Sequence, residues 1–208
     1  MIRRLDVLVS EHLGVSREYA KEVIESGKCK VDGKIIIKSG VKLPSDICLV
    51  IDAIKPQYVS RGGKKLAKAI KVFNLNLQGV LCMDIGASTG GFTDCMLQNG
   101  AKSVIAIENG KAQLHPSLLS DPRVISLENT DIRDICPLQL PYLPQFIAVD
   151  LSFISLSLVV PKLSELLRPS GYAVLLIKPQ FEVGKTGVGR RGIVRDANAH
   201  IAVIKRLY

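Results

Sequence analysis

The chain has 208 residues, of which 47% are hydrophobic and 23% charged, and this balance excludes a disordered or fibrous protein. Its formal net charge of +9 favours a polyanionic partner, either a nucleic acid or an anionic membrane surface. No stretch approaches the ~18 consecutive apolar residues that a membrane helix needs, and no secretory signal is visible at the N-terminus.

Cysteine and histidine are too scattered along the chain to suggest a metal site. The five cysteines are Cys29, Cys48, Cys82, Cys95 and Cys136, and no two of them have the spacing of zinc ligands. Their number is odd, so a disulfide framework is not expected either. The sequence therefore predicts no bound metal and a protein of the reducing cytoplasm.

Positive charge is concentrated in two stretches of the chain. Residues 55–71 carry six basic side chains and no acid, namely Lys55, Arg61, Lys64, Lys65, Lys68 and Lys71. Residues 178–195 carry five basic side chains against one acid, Glu182. Acid-poor clusters of this kind favour binding to nucleic acid, and the alternative is two solvated basic loops.

Residues 1–52 are predicted to form a small α+β domain. Apolar residues from Leu5 to Leu13 recur at helical spacing, and Gly14 ends that helix. Ser16 is placed to cap a second helix, which ends at Gly27. Short antiparallel strands are predicted to follow at Cys29 to Val31, Ile35 to Ile37 and Ile47 to Ile51.

Residues 53–59, which include Pro56, are predicted to be a linker, and residues 60–208 a Rossmann-like α/β domain. Apolar strands alternate there with helices, as in a doubly wound parallel sheet. The predicted strands are residues 80–85, 103–107, 124–127, 146–149 and 172–177. The predicted helices are residues 65–73, 93–99, 112–119 and 155–167, with another from about residue 196. The chain stops at Tyr208 inside that helix, so we expect the last strands of such a sheet to be missing.

A glycine-rich turn between a predicted strand and a predicted helix is the sharpest local signal. Glycines let a backbone turn tightly and approach a ligand closely, but the pattern is not that of a dinucleotide site. Asp84 at the strand end suits a cationic sulfonium ligand that carries an amino group. The alternative is a turn that binds nothing. The turn residues predicted to bind the ligand are Gly86, Ala87, Ser88, Thr89, Gly90, Gly91, Phe92 and Thr93.

Acids also follow the next two predicted strands. Glu108 ends the second strand, where a carboxylate can accept hydrogen bonds from both hydroxyls of a ribose. Asp131 follows the third strand and is placed to accept a bond from an adenine amino group, although a surface loop acid is an equal alternative. Together with Asp84, these acids predict an adenosine pocket along one edge of the sheet.

An acid and a lysine end the fourth and fifth predicted strands. Asp150 and Lys178 therefore face the crevice where open α/β sheets bind ligands. A lysine beside a second cation, for which Lys65 is a candidate, can deprotonate a hydroxyl or stabilise the resulting oxyanion. The alternative is an ion pair with a structural role only.

The order of these motifs resembles the hemolysin A (TlyA) family of ribosomal RNA 2′-O-methyltransferases. The stretches that carry the resemblance are SRGGKKL at 60–66, DIGASTGGFTD at 84–94, VDLSFISL at 149–156, KPQFE at 178–182 and GIVRD at 192–196. The catalytic half is similar to the wider FtsJ-like group. Residues 1–52 resemble the RNA-binding domain of the ribosomal protein S-four type, in Arg4-Leu5-Asp6, Ser16-Arg17, Ala20, Gly27, Val31-Asp32-Gly33 and Lys38.

The resemblance implies S-adenosylmethionine as cofactor, with Asp150 also near it, and a ribose 2′-hydroxyl of ribosomal RNA or ribosomal subunits as acceptor. Members of the family activate that hydroxyl with a Lys–Asp–Lys–Glu tetrad, whose first three members map to Lys65, Asp150 and Lys178. Lys178 would then be the base or oxyanion stabiliser, Lys65 would tune it, and Asp150 would orient it. The tetrad's Glu belongs to a segment beyond Tyr208, since Glu182 lies in another motif, so an inactive chain is an alternative.

The resemblance also implies that the N-terminal helices meet the phosphate backbone of structured RNA. The only aromatic side chain of that domain is Tyr19, which favours recognition of shape and backbone over reading of bases. The residues predicted to bind RNA are Arg3, Arg4, Arg17, Lys21, Lys28, Arg61 and Lys64.

Two other functions are compatible with parts of the pattern. One is a non-catalytic RNA-binding or ribosome-associated protein that keeps the methyltransferase fold. The other, suggested by the family name, is a membrane-lytic protein, but no segment combines a large apolar face with a dense Lys/Arg face. We therefore expect no membrane partner. The family resemblance implies a cytidine as the methylated nucleoside, but its position in the ribosomal RNA, the ribosomal subunit and the oligomeric state are not predicted.

Overall fold

The computed structural model describes residues 1–53, 56–184, 187–189 and 192–207. The expected linker falls partly outside these ranges, since it includes Lys55. Three basic residues of the second positive stretch also lie outside them, namely Lys185, Arg190 and Arg191. The backbone separates into two compact units, Met1–Gly62 and Gly63–Tyr208.

The first unit consists of two helices and short antiparallel strands. Its elements are β1 (Ile2–Arg4), α1 (Leu5–Leu13), α2 (Arg17–Glu25), β2 (Cys29–Val31), β3 (Lys34–Ile35), β4 (Lys42–Pro44) and β5 (Leu49–Ile51). Strand β1 pairs with β4, and β2 lies between β3 and β5. The unit is therefore of the predicted α+β type.

The predicted end of the first helix and the predicted start of the second are confirmed, whereas the second helix ends at Glu25 rather than at Gly27. Gly14 follows α1 at φ +61°, a left-handed conformation that glycine adopts without a Cβ penalty. The Ser16 hydroxyl accepts a hydrogen bond from the Tyr19 amide at 3.3 Å and so caps α2. Strands β1 and β4 were not predicted, because neither three-residue segment shows the apolar alternation that marks a strand.

The second unit is a five-stranded parallel sheet with helices. Its elements are α3 (Gly62–Val72), β6 (Leu81–Ile85), α4 (Gly91–Gln98), β7 (Ser103–Ile107), α5 (Pro116–Leu119), β8 (Val124–Leu127), β9 (Phe146–Val149), α6 (Val160–Leu166), β10 (Tyr172–Leu175) and α7 (Ala197–Leu207). The strand order is β10-β9-β6-β7-β8, with every pairing parallel. The order reverses between β6 and β9, which is where sheets of this class bind ligands.

Burial explains why the central strands form where they were predicted. All four residues of β9 are completely buried, and so are Met83 and Ile85 of β6. Burying a side chain of this size contributes roughly 1.5–3 kcal/mol. Strand β9 ends at Val149, directly before Asp150, so the position of that acid is fixed by the core.

Four predicted helices differ from the structure, and one of them, α4, begins at Gly91 rather than at residue 93. The segment 112–119 forms only α5, because Pro116 starts the helix with its missing N–H at the first turn. The segment 155–167 is split into a 3₁₀ turn at Leu156–Leu158 and α6, which has Pro161 in its first turn. Helix α3 begins at Gly62 rather than residue 65, so it includes both glycines of the SRGGKKL segment.

Candidate active site

A cavity of about 830 Å³ opens at the carboxyl ends of the parallel strands. A volume of this size is typical of small-molecule sites, and the position is the one expected for a doubly wound sheet. Loops that follow four neighbouring strands line it. The residues on its wall that the sequence predicted are Gly86, Ser88, Glu108, Asp131 and Asp150.

Glycine is required where the chain leaves β6. Gly86 has φ +83°, and a Cβ built on it would lie 2.8 Å from the carbonyl oxygen of Asp150. The amides of Gly86 and Ala87 both donate to the carbonyl oxygen of Ile107 at 3.0 Å. The turn therefore lies tightly between the ends of β7 and β9, and its backbone forms part of the cavity wall.

The structure shows contacts of Asp84 that the sequence did not predict. Its side chain is completely buried and does not line the cavity. One oxygen, Oδ2, accepts hydrogen bonds from the amide of Thr93 at 2.8 Å and from its hydroxyl at 2.6 Å. Asp84 thus holds the first turn of α4 through Oδ2, and its contact with a ligand stays a prediction.

The environment of Asp84 also favours the protonated form of its carboxyl, so that a fraction of the molecules carries a neutral Asp84 at neutral pH. Burial raises the pKa of Asp84 to about 7, against the hydrogen bonds from Thr93, and the negative charges of Asp150 and Glu108 add to the rise. The second oxygen, Oδ1, has no hydrogen-bond partner in the described part of the chain. A protonated carboxyl at this position is less costly than a buried, half-paired carboxylate.

The rest of the glycine-rich turn shapes the site without lining it. Only Gly86 and Ser88 of the predicted turn residues lie on the cavity wall. Ala87, Phe92 and Thr93 are buried in the unit instead. The other members that do not line the cavity are Thr89, Gly90 and Gly91.

Glu108 holds two turns of the site together. Its Oε2 accepts the amide N–H of Ser88 at 2.8 Å, and its Oε1 accepts that of Gly110 at 2.7 Å. A carboxylate has about four acceptor sites, so each oxygen keeps capacity for a further donor. Glu108 therefore fits the predicted ribose contact while it also links the turn after β6 to the loop after β7.

Asp131 is paired with an arginine that the sequence reasoning missed. Its Oδ1 accepts the amide and the Nε–H of Arg133, both at 2.9 Å, and its Oδ2 accepts Nη2 at 2.5 Å. These bonds lower the pKa of Asp131. Both residues line the cavity, and the local Asp-x-Arg spacing was the signal that could have revealed the pair.

The structure brings Lys65, Asp150 and Lys178 together at one side of the cavity. Lys65 Nζ donates to Asp150 Oδ2 at 2.9 Å, and Lys178 Nζ lies 2.6 Å from Asp150 Oδ1. Burial acts to raise the pKa of Asp150, but the hydrogen bonds and charges of Lys178 and Lys65 outweigh it and hold that pKa below its ordinary value. One ionised carboxylate is therefore shared by two ammonium groups.

Lys178 is the more enclosed of the two lysines. Its side chain is 19% exposed, against 48% for Lys65. It also donates to the hydroxyl of Ser152 at 2.8 Å and lies 5.9 Å from the ring centroid of Phe181. Salt bridge, hydroxyl and ring fix its Nζ in one direction, which is a requirement for a group that acts on a substrate.

An exposed aromatic residue beside this cluster was also missed. Phe153 lines the cavity and is 91% exposed. Its backbone has a left-handed φ of +65°, which residues other than glycine rarely adopt. Its ring centroid lies 5.1 Å from that of Phe181. Strained backbone next to reacting groups is common at functional sites, and no sequence pattern signals it.

Most of the residues predicted to bind RNA already have acidic partners. Arg4 and Arg17 both donate to the buried Asp6, at 3.0 and 2.9 Å, and lower its pKa to about 2. The remaining pairs are Arg3 with Glu11, Lys21 with Glu25 at 3.8 Å, and Arg61 with Glu22 at 2.7 Å. Within the described ranges, no carboxylate pairs with Lys28 or Lys64, which are exposed.

Among the described residues no group of three or more His, Cys, Asp or Glu side chains could hold a metal ion. No helix within the described ranges has the length and apolar character to cross a membrane. All five cysteines are free thiols, of which Cys48 and Cys136 are exposed.

Family comparisons match both units of the chain. A family model described as FtsJ-like methyltransferase matches residues 58–208, and an S4 domain model matches residues 3–45. A provisionally named rRNA methyltransferase of Bacillus subtilis, YqxC, is 44% identical over 206 residues, which cover 98% of this chain and 73% of that protein.

Two further relatives are similar over nearly the whole chain. The 16S/23S rRNA (cytidine-2′-O)-methyltransferase TlyA of Mycobacterium tuberculosis is 40% identical over 214 residues, which cover 99% of this chain and 80% of that protein. The solved structure of a provisionally named hemolysin from Streptococcus thermophilus is 43% identical, with a TM-score of 0.77. It is matched over 99% of this chain and 76% of its own.

Proposed function

Because this chain belongs to the FtsJ-like methyltransferase family, we propose that it transfers a methyl group from S-adenosylmethionine to a ribose 2′-hydroxyl of ribosomal RNA. The observation that carries the proposal is the Lys65–Asp150–Lys178 cluster, which lies at the edge of a cavity large enough for a small cofactor. We take the base as cytidine because the M. tuberculosis relative is named for that nucleotide. A ribosomal substrate places the proposed activity in the cytoplasm.

The cavity has the features that an adenosine-containing ligand needs. Gly86 brings the backbone to the wall without a Cβ, and Glu108 presents a carboxylate whose remaining lone pairs suit two ribose hydroxyls. Asp131 is placed to accept from an amino group, and Ile132 gives the wall an apolar side chain. S-adenosylmethionine, when bound, supplies an electrophilic methyl group on a positively charged sulfur.

The lysine cluster fits the activation of a hydroxyl. At neutral pH two ammonium groups share one carboxylate, so the cluster carries a net positive charge where negative charge would develop on the ribose oxygen. We assign Lys178 to stabilise the oxyanion as an ammonium group, or to take up the 2′-hydroxyl proton in its neutral amine form, because it is the enclosed lysine with three fixed neighbours. Asp150 then orients Lys178, and Lys65 supplies the second charge.

The RNA would be held by both parts of the chain. We assign residues 1–52 as the RNA-binding domain and residues 60–208 as the methyltransferase domain, joined by residues 53–59. The S4 match to residues 3–45 supports the first assignment. Phosphates would meet Lys28 and Lys64 directly, while Arg3, Arg4, Arg17, Lys21 and Arg61 would exchange or share their present carboxylate partners.

Transfer of tritiated methyl to ribosomal RNA tests the proposal. The protein is incubated with labelled S-adenosylmethionine and either ribosomal subunits or deproteinised RNA, and the RNA is then digested to nucleosides. We expect label in 2′-O-methylcytidine. Binding to ribosomal particles without any label in the RNA would overturn the proposal and select the non-catalytic RNA-binding alternative. Release of a dye from liposomes at the same protein concentration would select the lytic one.

A further inference from the structure

Glu182 is a buried acid that the chemistry above does not use. Its side chain is 1% exposed. Oε1 accepts the amide N–H of Leu156 at 2.8 Å, and Oε2 accepts the hydroxyl of Ser155 and Nη2 of Arg206, both at 2.7 Å. The same Nη2 of Arg206 also donates to the carbonyl oxygen of Glu182 at 2.9 Å.

These contacts join the two segments that carry the lysine–aspartate pair. Ser155 and Leu156 end the loop that begins at Asp150, and Glu182 directly follows the 3₁₀ turn Pro179–Phe181, which begins after Lys178. Each segment is only a few residues long, so a fixed end leaves little freedom at the reacting end. Glu182 therefore connects the loop after β9 to the loop after β10.

Two other contacts join the same segments closer to the cavity. Lys178 Nζ donates to Ser152 Oγ at 2.8 Å, and the Phe153 and Phe181 rings pack with centroids 5.1 Å apart. Both of these contacts are partly open to solvent, since Phe153 is 91% exposed and Ser152 is exposed as well. The buried Glu182 contacts are the part of this connection that solvent does not weaken.

A buried charge of this kind is a costly way to stabilise a fold. Taking a carboxylate out of water is expensive, and a well-packed apolar pair at such a site is often at least as stable as an ion pair. Here the carboxylate is satisfied by a guanidinium, a hydroxyl and an amide, each with good geometry. Such a network specifies one arrangement of the two loops more strongly than it stabilises the unit.

We propose that Glu182 is a positioning residue, which sets the placement of Lys178 against Asp150 by tying their two loops together, with Arg206 compensating its charge. The inference rests on the proposed function only in the step from that placement to the methyl-transfer rate. Glu182 acts through Lys178 and does not contact the substrate. Glu182→Gln keeps the size of the side chain but weakens the bond to Arg206, so it loosens the connection with little change in volume.

The test compares Glu182→Gln with Glu165→Gln, an exposed acid of α6 that bonds only to Lys162 among the described residues. Both changes remove one negative charge from the same unit. For Glu182→Gln we expect kcat for methyl transfer to fall at least ~10-fold, while KM for S-adenosylmethionine stays within about threefold. Glu165→Gln should leave both parameters unchanged. A kcat for Glu182→Gln within twofold of wild type would overturn the inference.

A second readout does not depend on methyl transfer. Competitive acetylation with acetic anhydride, read by mass spectrometry, compares the reactivity of Lys178 with that of the exposed Lys71 in the same sample. We expect Lys178 to become several-fold more reactive in Glu182→Gln, with Lys71 unchanged. Unchanged Lys178 reactivity would contradict the inference even if the wild-type protein never methylated RNA, so the two failures can be told apart.

A variant of Arg206, the exposed partner of Glu182, tests the same inference if Glu182→Gln does not fold. Arg206 is 51% exposed, so Arg206→Gln removes its charge without opening the core. Glu182 then keeps its bonds to Ser155 and Leu156, and we expect a smaller fall in kcat and a smaller rise in Lys178 reactivity. Arg206→Lys, which keeps the charge, should restore part of both. Equal behaviour of the Gln and Lys variants would overturn the role of Arg206.

Discussion

Lys65 and Lys178 come from distant parts of the chain and bind opposite oxygens of the same carboxylate. Lys65 Nζ lies 2.9 Å from Asp150 Oδ2, and Lys178 Nζ lies 2.6 Å from Asp150 Oδ1. Helix α3 contributes one lysine and the loop after β10 the other, so the cluster exists only when the sheet is assembled. Asp150 is therefore both the electrostatic and the geometric centre of the proposed site.

Replacing Asp150 by Asn should lower methyl transfer far more than a matched change elsewhere on the cavity wall. The amide cannot balance two ammonium groups, so Lys178 loses the partner that orients it. We expect kcat to fall by about 10²–10⁴-fold, the usual range for a disrupted acid–base group. The measurement is single-turnover transfer to RNA at saturating cofactor. Asp131→Asn is the control, and it should raise the Kd for S-adenosylmethionine rather than lower the single-turnover rate. Equal rate losses in the two variants would refute the special role of Asp150.

Gly86→Ala should weaken cofactor binding because the added Cβ meets the Asp150 carbonyl oxygen at 2.8 Å. Gly79 provides a matched control, since it also has a positive φ, of +72°, but nothing lies within 4 Å of its Cβ position. Gly79→Ala carries only the left-handed strain, roughly 1–2 kcal/mol. Calorimetric titration with S-adenosylmethionine should show at least a ~10-fold loss of affinity for Gly86→Ala and none for Gly79→Ala. Unchanged affinity in Gly86→Ala would remove the turn from the cofactor site.

Asp84→Asn should stabilise the protein at alkaline pH. The folded-state pKa of Asp84, about 7, lies above its ordinary value, so the folded state binds its proton more tightly than the unfolded state. The contribution of Asp84 to the free energy of unfolding is fully present below about pH 4 and is lost as pH rises through about 7. Between pH 5 and pH 8 we expect the wild type to lose roughly 2–3 kcal/mol of unfolding free energy that Asp84→Asn keeps.

Denaturant unfolding at both pH values measures this difference. Asp134→Asn is the control, because Asp134 is an exposed acid of the same unit that undergoes the same change of side chain. That variant should follow the wild-type pH dependence. A parallel pH dependence of Asp84→Asn and wild type would show that Asp84 is ionised in the folded protein.

The N-terminal unit should lose stability in acid through Asp6. Arg4 and Arg17 lower the pKa of Asp6 to about 2, below its ordinary value, so its contribution is present above about pH 4 and is lost as pH falls towards 2. Asp6→Asn should remove up to about 2 kcal/mol of unfolding free energy at pH 7, and it should reduce the acid limb, which is the fall in stability between about pH 4 and pH 2. Amide signals of α1 and α2, followed by NMR during denaturant titration, isolate this unit, and the exposed Asp46→Asn is the control. An unchanged acid limb in Asp6→Asn would contradict the assignment.

The sequence was sufficient for the parallel sheet because each central strand is a short run of apolar residues that must be buried on both faces. Strands β7, β8 and β9 were predicted with the observed bounds. Propensity could not decide the helices near Pro116 and Pro161, where proline sets the local geometry. The pairing of β1 with β4 depends on partners distant in sequence, which no local pattern reveals.

The sequence predicted which residues form the candidate site better than it predicted the contacts between them. The strand ends predicted Asp150 and Lys178 at one edge, the family resemblance added Lys65, and the structure brings the three together. The same reasoning predicted that Asp84 lies beside the ligand, but it did not reveal that Oδ2 of Asp84 accepts hydrogen bonds from the amide and hydroxyl of Thr93 in α4. The Glu182–Arg206 pair joins segments with no shared motif, so only the fold shows it.

Methyl transfer by Lys178→Met is the most direct test of the central claim. Methionine keeps much of the packing against Phe181 but has neither a charge nor a proton-accepting nitrogen. With ribosomal RNA and labelled S-adenosylmethionine, we predict that label in 2′-O-methylcytidine falls at least ~100-fold, while calorimetry shows cofactor affinity within about threefold of wild type. Label at the wild-type rate in Lys178→Met would contradict the account, because the cluster around Asp150 would then not be the group that activates the ribose hydroxyl.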